Sequence, residues 1–338
     1  MKTEEFNFDL PERFIAQSPA TPRDSSKLLC YSTSDGAVSD RAFSDIEEYL
    51  VAGDVLVLNK SKVFPARILF EVDGKTREVF VLDILENGFV KAMVRPGKFF
   101  KLGKEFAVAD DCLGVVKEVF DDGTRLIAFS SDPIRYGVTP LPPYIHNSEV
   151  DADRYQTVYA DSEGSVAAPT AGLHFTPQLI DRLRTKGVLI VEVVLHVGRG
   201  TFLPVNSENI DDHVMHEEFF EISNEACDVL NAAVSDSRRI VAVGTTSVRV
   251  LESAFDGGFV PKSGTTDIFI YPGKYKWKVV NALITNFHLP KSTLLMLVSS
   301  FLENKGVDDP VDTLKELYAH AMALDYRFYS FGDAMFLF

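Results

Sequence analysis

Cysteine is scarce in this chain. Its 338 residues include three, Cys30, Cys112 and Cys227. They are far apart and odd in number, so no disulfide framework and no Cys-x-x-Cys pair is available, and a reducing cytoplasm is expected. Long apolar runs are also missing. The longest strongly apolar stretch, residues 294–298 with Phe301 and Leu302 beyond, is far short of the roughly 20 residues that cross a bilayer. The opening MKTEEFNFDLPERF lacks the charged-then-apolar layout of a secretion signal. These absences predict a cytoplasmic protein with no membrane partner. Positive charge is in deficit: 34 Lys and Arg stand against 49 Asp and Glu, a formal net charge of −15. That weighs against nucleic acid, because phosphate contacts need cations, although a local basic patch can still bind. The chain also has no HExxH, no complete dinucleotide glycine fingerprint, no P-loop ending and no GxSxG elbow. No repeat or low-complexity tract is visible.

What is present is globular. With 46% hydrophobic and 25% charged residues, the composition supports a buried core and excludes disorder. The length fits one large or two smaller domains. KLLCYS and DVLVLN read as strands around a short helix, with Ser44 and Glu47 as its capping box. From about Val63 the texture turns β-rich. Short strand-like runs from ARILFEV to RLIAFS follow one another, broken by VDGK, ENG and DDG turns. A proline-rich stretch around LPPYI then leads back to alternating helices and strands. The predicted class is α/β (mixed α+β). A discontinuous α/β domain, residues 1–62 and 146–338, carries an inserted small antiparallel β-barrel, residues 63–145. In the last part, Thr176, Pro177 and Gly187 bracket a helix. VLIVEVVLHVG, RIVAVG, DIFIYPG and VVNALITNFHLP read as strands. TTSVRVLESAF, STLLMLVSSFL and DPVDTLKELYAHAMAL read as helices, the last with Asp309 as N-cap.

Three loops offer chemistry. Thr170, Ala171, Gly172 and His174 lie in a run of small residues that lets backbone approach a ligand closely. Thr245 and Thr246 stand where a strand hands over to a helix, a ready site for an anionic group, or simply for N-capping. Gly198-Arg199-Gly200-Thr201 follows another strand, as a close-approach loop or a tight turn. Five of the seven histidines fall between His174 and His288. His213 and His216, three apart, would share a helical face, half of a metal site without its remaining ligands. RPGKFFKLGK interleaves cations with aromatics, which suits RNA or a plain solvated hairpin.

Many short motifs occur here in one order: LPERFIAQSP, RDSSKLL, GDVLVLN, RPGK, DRYQTVYA, GSVAAPTAGLHFT, HVGRGTFLPV, VMHEE, AVGTTSVRVLES, IFIYPG, TNFHLPKSTLLMLVSSF and YRFYSFGDAM. In this the chain resembles the S-adenosylmethionine:tRNA ribosyltransferase-isomerase family of queuosine biosynthesis. The resemblance implies a transfer of the ribosyl portion of S-adenosylmethionine to 7-aminomethyl-7-deazaguanine at the tRNA wobble position. The product is epoxyqueuosine, and adenine and methionine are released. It implies S-adenosylmethionine as a consumed co-substrate, tRNA as partner, no prosthetic group and no metal; a monomer is expected. Thr170, Ala171, Gly172, Gly198, Gly200, Thr201, Thr245 and Thr246 are then the expected S-adenosylmethionine contacts. His174, His216 and Asp24 are the candidates for proton transfer. Arg23, Arg67, Arg95 and Lys98 are the candidate tRNA contacts. Lys60, Ser61, Lys62, Phe64, Arg199 and Asn281 depart from the family pattern. Two rival readings remain at this stage: a metal-dependent hydrolase using His213 and His216, and a non-catalytic RNA-binding protein.

Overall fold

The computed structural model describes residues 1–85, 88–146, 151–198, 205 and 207–338. Arg199, Gly200 and Thr201 lie outside the described residues. The chain divides into two compact units, Met1–Ser61 with Pro142–Ser162 and Ala168–Phe338, and Lys62–Leu141 with Glu163–Ala167.

The larger unit is mixed α/β. Among the described residues it is built on a nine-stranded sheet. From one edge the order is Lys262–Thr266, Glu218–Ile222, Leu189–Leu195, Val55–Asn59, Ile240–Val243, Ala282–Asn286, Ala334–Leu337, Lys27–Tyr31 and Val38–Ala42. The central four, from Leu189–Leu195 to Ala282–Asn286, are parallel. Val55–Asn59, Ile240–Val243 and Ala282–Asn286 are buried along their whole lengths, which explains their unbroken apolar sequences: a parallel sheet is covered on both faces. One layer of core joins Leu56, Val241 and Ile284 of the sheet to Phe175, Leu179, Ile180 and Leu183 of the chain beside it.

Six α-helices are described: α1 Ile46–Tyr49, α2 Pro177–Lys186, α3 Asn224–Ser235, α4 Gly244–Ala254, α5 Thr293–Asn304 and α6 Pro310–Ala323. Helix α2 matches its sequence signals. The Thr176 hydroxyl accepts from Leu179 N at 3.2 Å, and Gly187 closes the helix at φ +92°, a conformation that costs glycine little.

Four expectations fail. Ser44 does not cap α1; the preceding turn is a 3-10 segment, and Asp45 instead accepts from Ala42 N. DIFIYPG is not a strand: the edge strand is Lys262–Thr266, and the chain leaves the sheet just before Asp267. His213 and His216 share no helical face, because only Ile210–Asp212 is helical there, as a single 3-10 turn. Asp309 precedes α6 in the left-handed region and makes no side-chain cap; Pro310 alone marks that start.

The smaller unit is a curled antiparallel sheet. Its order is Gly137–Val138, Arg67–Val72, Lys75–Ile84, Phe89–Arg95, Arg125–Phe129, Cys112–Val119 and Glu105–Ala109. The curl brings Phe70, near one edge, to stack on Phe106 of the far edge strand at 5.4 Å. No ladder joins the two edges among the described residues, so the sheet is a half-barrel.

The C′ position of α2 gives a direct test. A Cβ at Gly187 would sit 3.0 Å from Ala52 Cβ at a positive φ. Gly187→Ala is expected to cost about 1 kcal/mol, read as a lowered midpoint at unchanged slope in urea unfolding.

Candidate active site

Three parallel strands deliver their carboxyl ends to one cleft, the position where open α/β sheets bind ligands. After Leu189–Leu195 the chain contributes Val197. After Ile240–Val243 it contributes Gly244, Thr245 and Thr246, and after Ala282–Asn286 it contributes Phe287, His288 and Leu289. Thr170 and Ala171 form part of the wall, and Tyr144, Tyr329 and Ser330 complete it.

Gly244 takes φ +81°, which turns the chain sharply from strand into α4. Val243 is the N-cap residue and makes no side-chain cap. Thr245 and Thr246 therefore do not cap α4 as expected; they lie in its first turn, buried. The Thr246 hydroxyl is buried and has no hydrogen-bond partner among the described residues. An unpaired buried hydroxyl is costly, and this one borders the cleft beside the free N–H groups and positive dipole end of a helix.

Asn286 organises the opposite wall. Its Oδ1 accepts from the Thr170 hydroxyl at 3.1 Å, and its Nδ2 donates to the Tyr329 carbonyl at 3.1 Å. Because that carbonyl only accepts, the amide orientation is fixed. Nδ2 then also donates to His174 Nε2 at 3.2 Å. Nε2 is thus the unprotonated nitrogen, and Nδ1–H donates to the Ser26 hydroxyl at 2.7 Å. The ring stacks on Phe43. His174 is 4% exposed and does not border the cleft. Burial lowers its pKa to about 4. It is a neutral ring with both nitrogens engaged, and it orients Asn286.

The other expected residues are dispersed. Asp24 accepts from the Thr176 hydroxyl at 3.0 Å, at the start of α2. His216 is exposed and borders neither the cleft nor His174. Gly198 N–H donates to Glu218 Oε1 at 2.7 Å, and Glu218 pairs with buried Arg249 of α4. Arg23 donates to the Leu173 and Asp153 carbonyls at 3.2 and 3.4 Å, bracing the 170–174 turn. Arg67 pairs with Glu78 at 2.8 Å. Arg95 and Lys98 are exposed. The aromatics of RPGKFFKLGK do not present open faces: Phe100 is core, and Phe99 lies under Arg77 and Lys104.

Gly172 is small for an internal reason. A Cβ there would lie 2.0 Å from the Tyr159 hydroxyl and 2.9 Å from Thr157 Cγ2. The bare loop closes on its own protein at this point, while Thr170 and Ala171 face the cleft. Sequence reasoning missed Asn286, His288, Tyr144, Tyr329 and Ser330. A signal existed in TNFH, where polar residues directly follow the buried run ALI. His288 borders the cleft, its Nε2 is 2.8 Å from the Thr285 hydroxyl, and burial lowers its pKa to about 3. Among the described residues no three His, Cys, Asp or Glu side chains converge as metal ligands. None of the described helices is long and apolar enough to cross a membrane.

A family model described as queuosine biosynthesis protein matches residues 3–337. The chain belongs to this family. The resemblance carried by the sequence motifs is thereby borne out. Relatives from Desulfitobacterium hafniense and Thermotoga petrophila are 46% and 48% identical over the full length of both chains. Each is named S-adenosylmethionine:tRNA ribosyltransferase-isomerase. The crystal structure of S-adenosylmethionine tRNA ribosyltransferase from Thermotoga maritima is similar, with 38% identity and a TM-score of 0.57. It covers 99% of this chain and 100% of that one.

Two measurements follow from the geometry. Gly172→Ala should destabilise by roughly 1–3 kcal/mol, as overpacking does. Adding Tyr159→Phe should recover a substantial part, because it removes the clashing oxygen; additive losses in the double mutant would refute the contact. The second concerns pH. The folded-state pKa of His174 is about 4, below its ordinary 6.5, so the unfolded chain binds more protons between those values. The stability associated with this ring is full above pH 6.5 and is lost as pH falls toward 4. His174→Asn should remove up to about 1.4 kcal/mol per pH unit of that slope, measured by unfolding at successive pH values.

Proposed function

We propose that this enzyme transfers and isomerises the ribosyl moiety of S-adenosylmethionine onto 7-aminomethyl-7-deazaguanine at the wobble position of tRNA. Epoxyqueuosine-tRNA forms, and adenine and methionine leave. Membership of the family and the names of full-length relatives support this activity. The observation that carries the site assignment is the buried Thr246 hydroxyl at the start of α4, which has no partner among the described residues.

The methionine carboxylate of S-adenosylmethionine belongs at that helix start, where the dipole favours an anion and Thr246 gains its missing partner. The nucleoside belongs against Thr170 and Ala171. The substrate amine must attack C5′ and displace methionine, so it must reach the cleft unprotonated. His288 offers a neutral ring at the wall to orient it. Of the residues expected to move protons, His174 is linked to the cleft through Asn286, whereas Asp24 and His216 do not border it. Much of the acceleration then comes from holding two large reactants in line. The two compact units serve as domains: Met1–Ser61 with Pro142–Ser162 and Ala168–Phe338 form the catalytic α/β part, and Lys62–Leu141 with Glu163–Ala167 form the inserted barrel-like part, so the expected boundary near 145 moves back to 141 and leaves Tyr144 with the cleft. Arg95 and Lys98, exposed on the latter, are the better candidates for tRNA backbone. Arg23 and Arg67 are engaged within the protein. A cytoplasmic monomer is the proposed working unit.

Incubation with S-adenosylmethionine and tRNA bearing the aminomethyl-deazaguanine should release adenine and methionine in equal amounts, only with the modified tRNA. Absence of adenine from folded enzyme would refute the activity. For the site, Thr246→Val should weaken S-adenosylmethionine binding about tenfold by calorimetry, the scale of a hydrogen bond to a charged group, without lowering thermal stability. Unchanged affinity would move the carboxylate elsewhere.

A further inference from the structure

VMHEE and IFIYPG, two motifs that the cleft does not absorb, meet in the larger unit around a second pocket of about 420 Å³. It shares no lining residue with the cleft. The chain forms this pocket by leaving the sheet after Thr266, which is why DIFIYPG is not a strand. Phe269 stands against Tyr271 at 4.7 Å, and His213 meets the Phe269 ring edge-on at 5.4 Å. The polar groups divide in two. Asp211 is satisfied: the Tyr271 hydroxyl donates to it at 2.5 Å and Lys274 pairs with it at 3.2 Å. Asp267 is exposed and makes no hydrogen bond among the described residues. Beside them Val214 is 81% exposed, more than any other large hydrophobic residue among those described.

This combination has a specific chemical complement. A flat aromatic body would cover Val214 and lie on Phe269. An edge of N–H donors would meet the Asp267 carboxylate, which only accepts. An adjacent phosphate would meet Lys274. Unstacked RNA bases offer all three, and proteins that read single-stranded loops use aromatic faces with polar groups at the base edge. A metal ion would leave the aromatic wall unused, and a lipid would not want the open carboxylate.

We propose that this pocket binds an unstacked anticodon-loop nucleobase with a donor edge, other than the wobble base. The wobble base is assigned elsewhere because its amine must enter the separate cleft. The inference rests on the tRNA reading given above. Phe269 supplies the stacking face, Asp267 reads the donor edge, and Lys274 holds the neighbouring backbone.

The test is steady-state adenine release with modified tRNA, alongside direct binding of the same tRNA without turnover. Phe269→Leu and Asp267→Asn should each raise the tRNA KM and Kd about tenfold. Stacking losses of about 1–3 kcal/mol per base correspond to fivefold or more. kcat at saturating tRNA and the Kd for S-adenosylmethionine should stay within twofold, and Phe269→Tyr should behave as wild type. Unchanged tRNA binding in folded Phe269→Leu overturns the pocket, and so does an equal loss of kcat and S-adenosylmethionine affinity. Phe269-dependent tRNA binding without adenine release would instead overturn the ribosyl transfer and leave the pocket standing.

Discussion

The cleft hangs on one side-chain amide. Asn286, at the end of a fully buried strand, spends its oxygen on Thr170 and its nitrogen on Tyr329 and His174. It thereby joins three distant parts of the chain to the sheet. Each bond is ordinary, worth about 1 kcal/mol net, but an orphaned buried partner costs more. The amide therefore acts less as a source of stability than as a fixed point. It sets where the 170–174 turn stands relative to the start of α4, and that relation defines the two sides of the cleft. His174 belongs to this arrangement as the group that accepts the second amide proton.

Charge sets the second constraint. A chain with net charge −15 has few cations to offer to RNA, and several are already committed. Arg23 braces a turn, Arg67 pairs with Glu78, Arg125 holds three backbone carbonyls and Arg249 is buried against Glu218. Affinity for tRNA must then lean on shape and base contacts more than on diffuse attraction. The Phe269 pocket agrees with that economy, since a stacked base is held by dispersion and an edge contact, neither of which requires a basic surface.

Regular structure was legible from sequence where one physical signal dominated. Unbroken apolar runs marked the buried parallel strands, and Thr176, Pro177 and Gly187 marked α2 because each supplies a local backbone need. The strand-to-helix turn at Gly244 and the β-rich composition of the smaller unit were readable for the same reason. Failures occurred where tertiary contacts overrode local pattern. IFIYPG opens with an unbroken apolar run like that of a buried strand, yet it leaves the sheet for a loop whose aromatics line a pocket. Thr245 looked like a cap, but the cap position is Val243 and the hydroxyls face the cleft. His174 looked like a reactive group in a bare loop, but its ring is spent on Ser26 and Asn286. Asn286 itself carried little signal, since one polar residue after an apolar run does not announce three partners. Sites are where local and global preferences part.

The close approach at Gly172 has a consequence for how such chains diverge. The position is small because the Tyr159 hydroxyl already fills the space a methyl would need. Two separate positions are thus interlocked with a direction. A lineage that loses the hydroxyl first removes the severest contact before the glycine changes and leaves only Thr157 Cγ2, at 2.9 Å, to give way, whereas the reverse order passes through a more heavily overpacked intermediate. The same pair of residues is therefore easier to leave by one door than by the other.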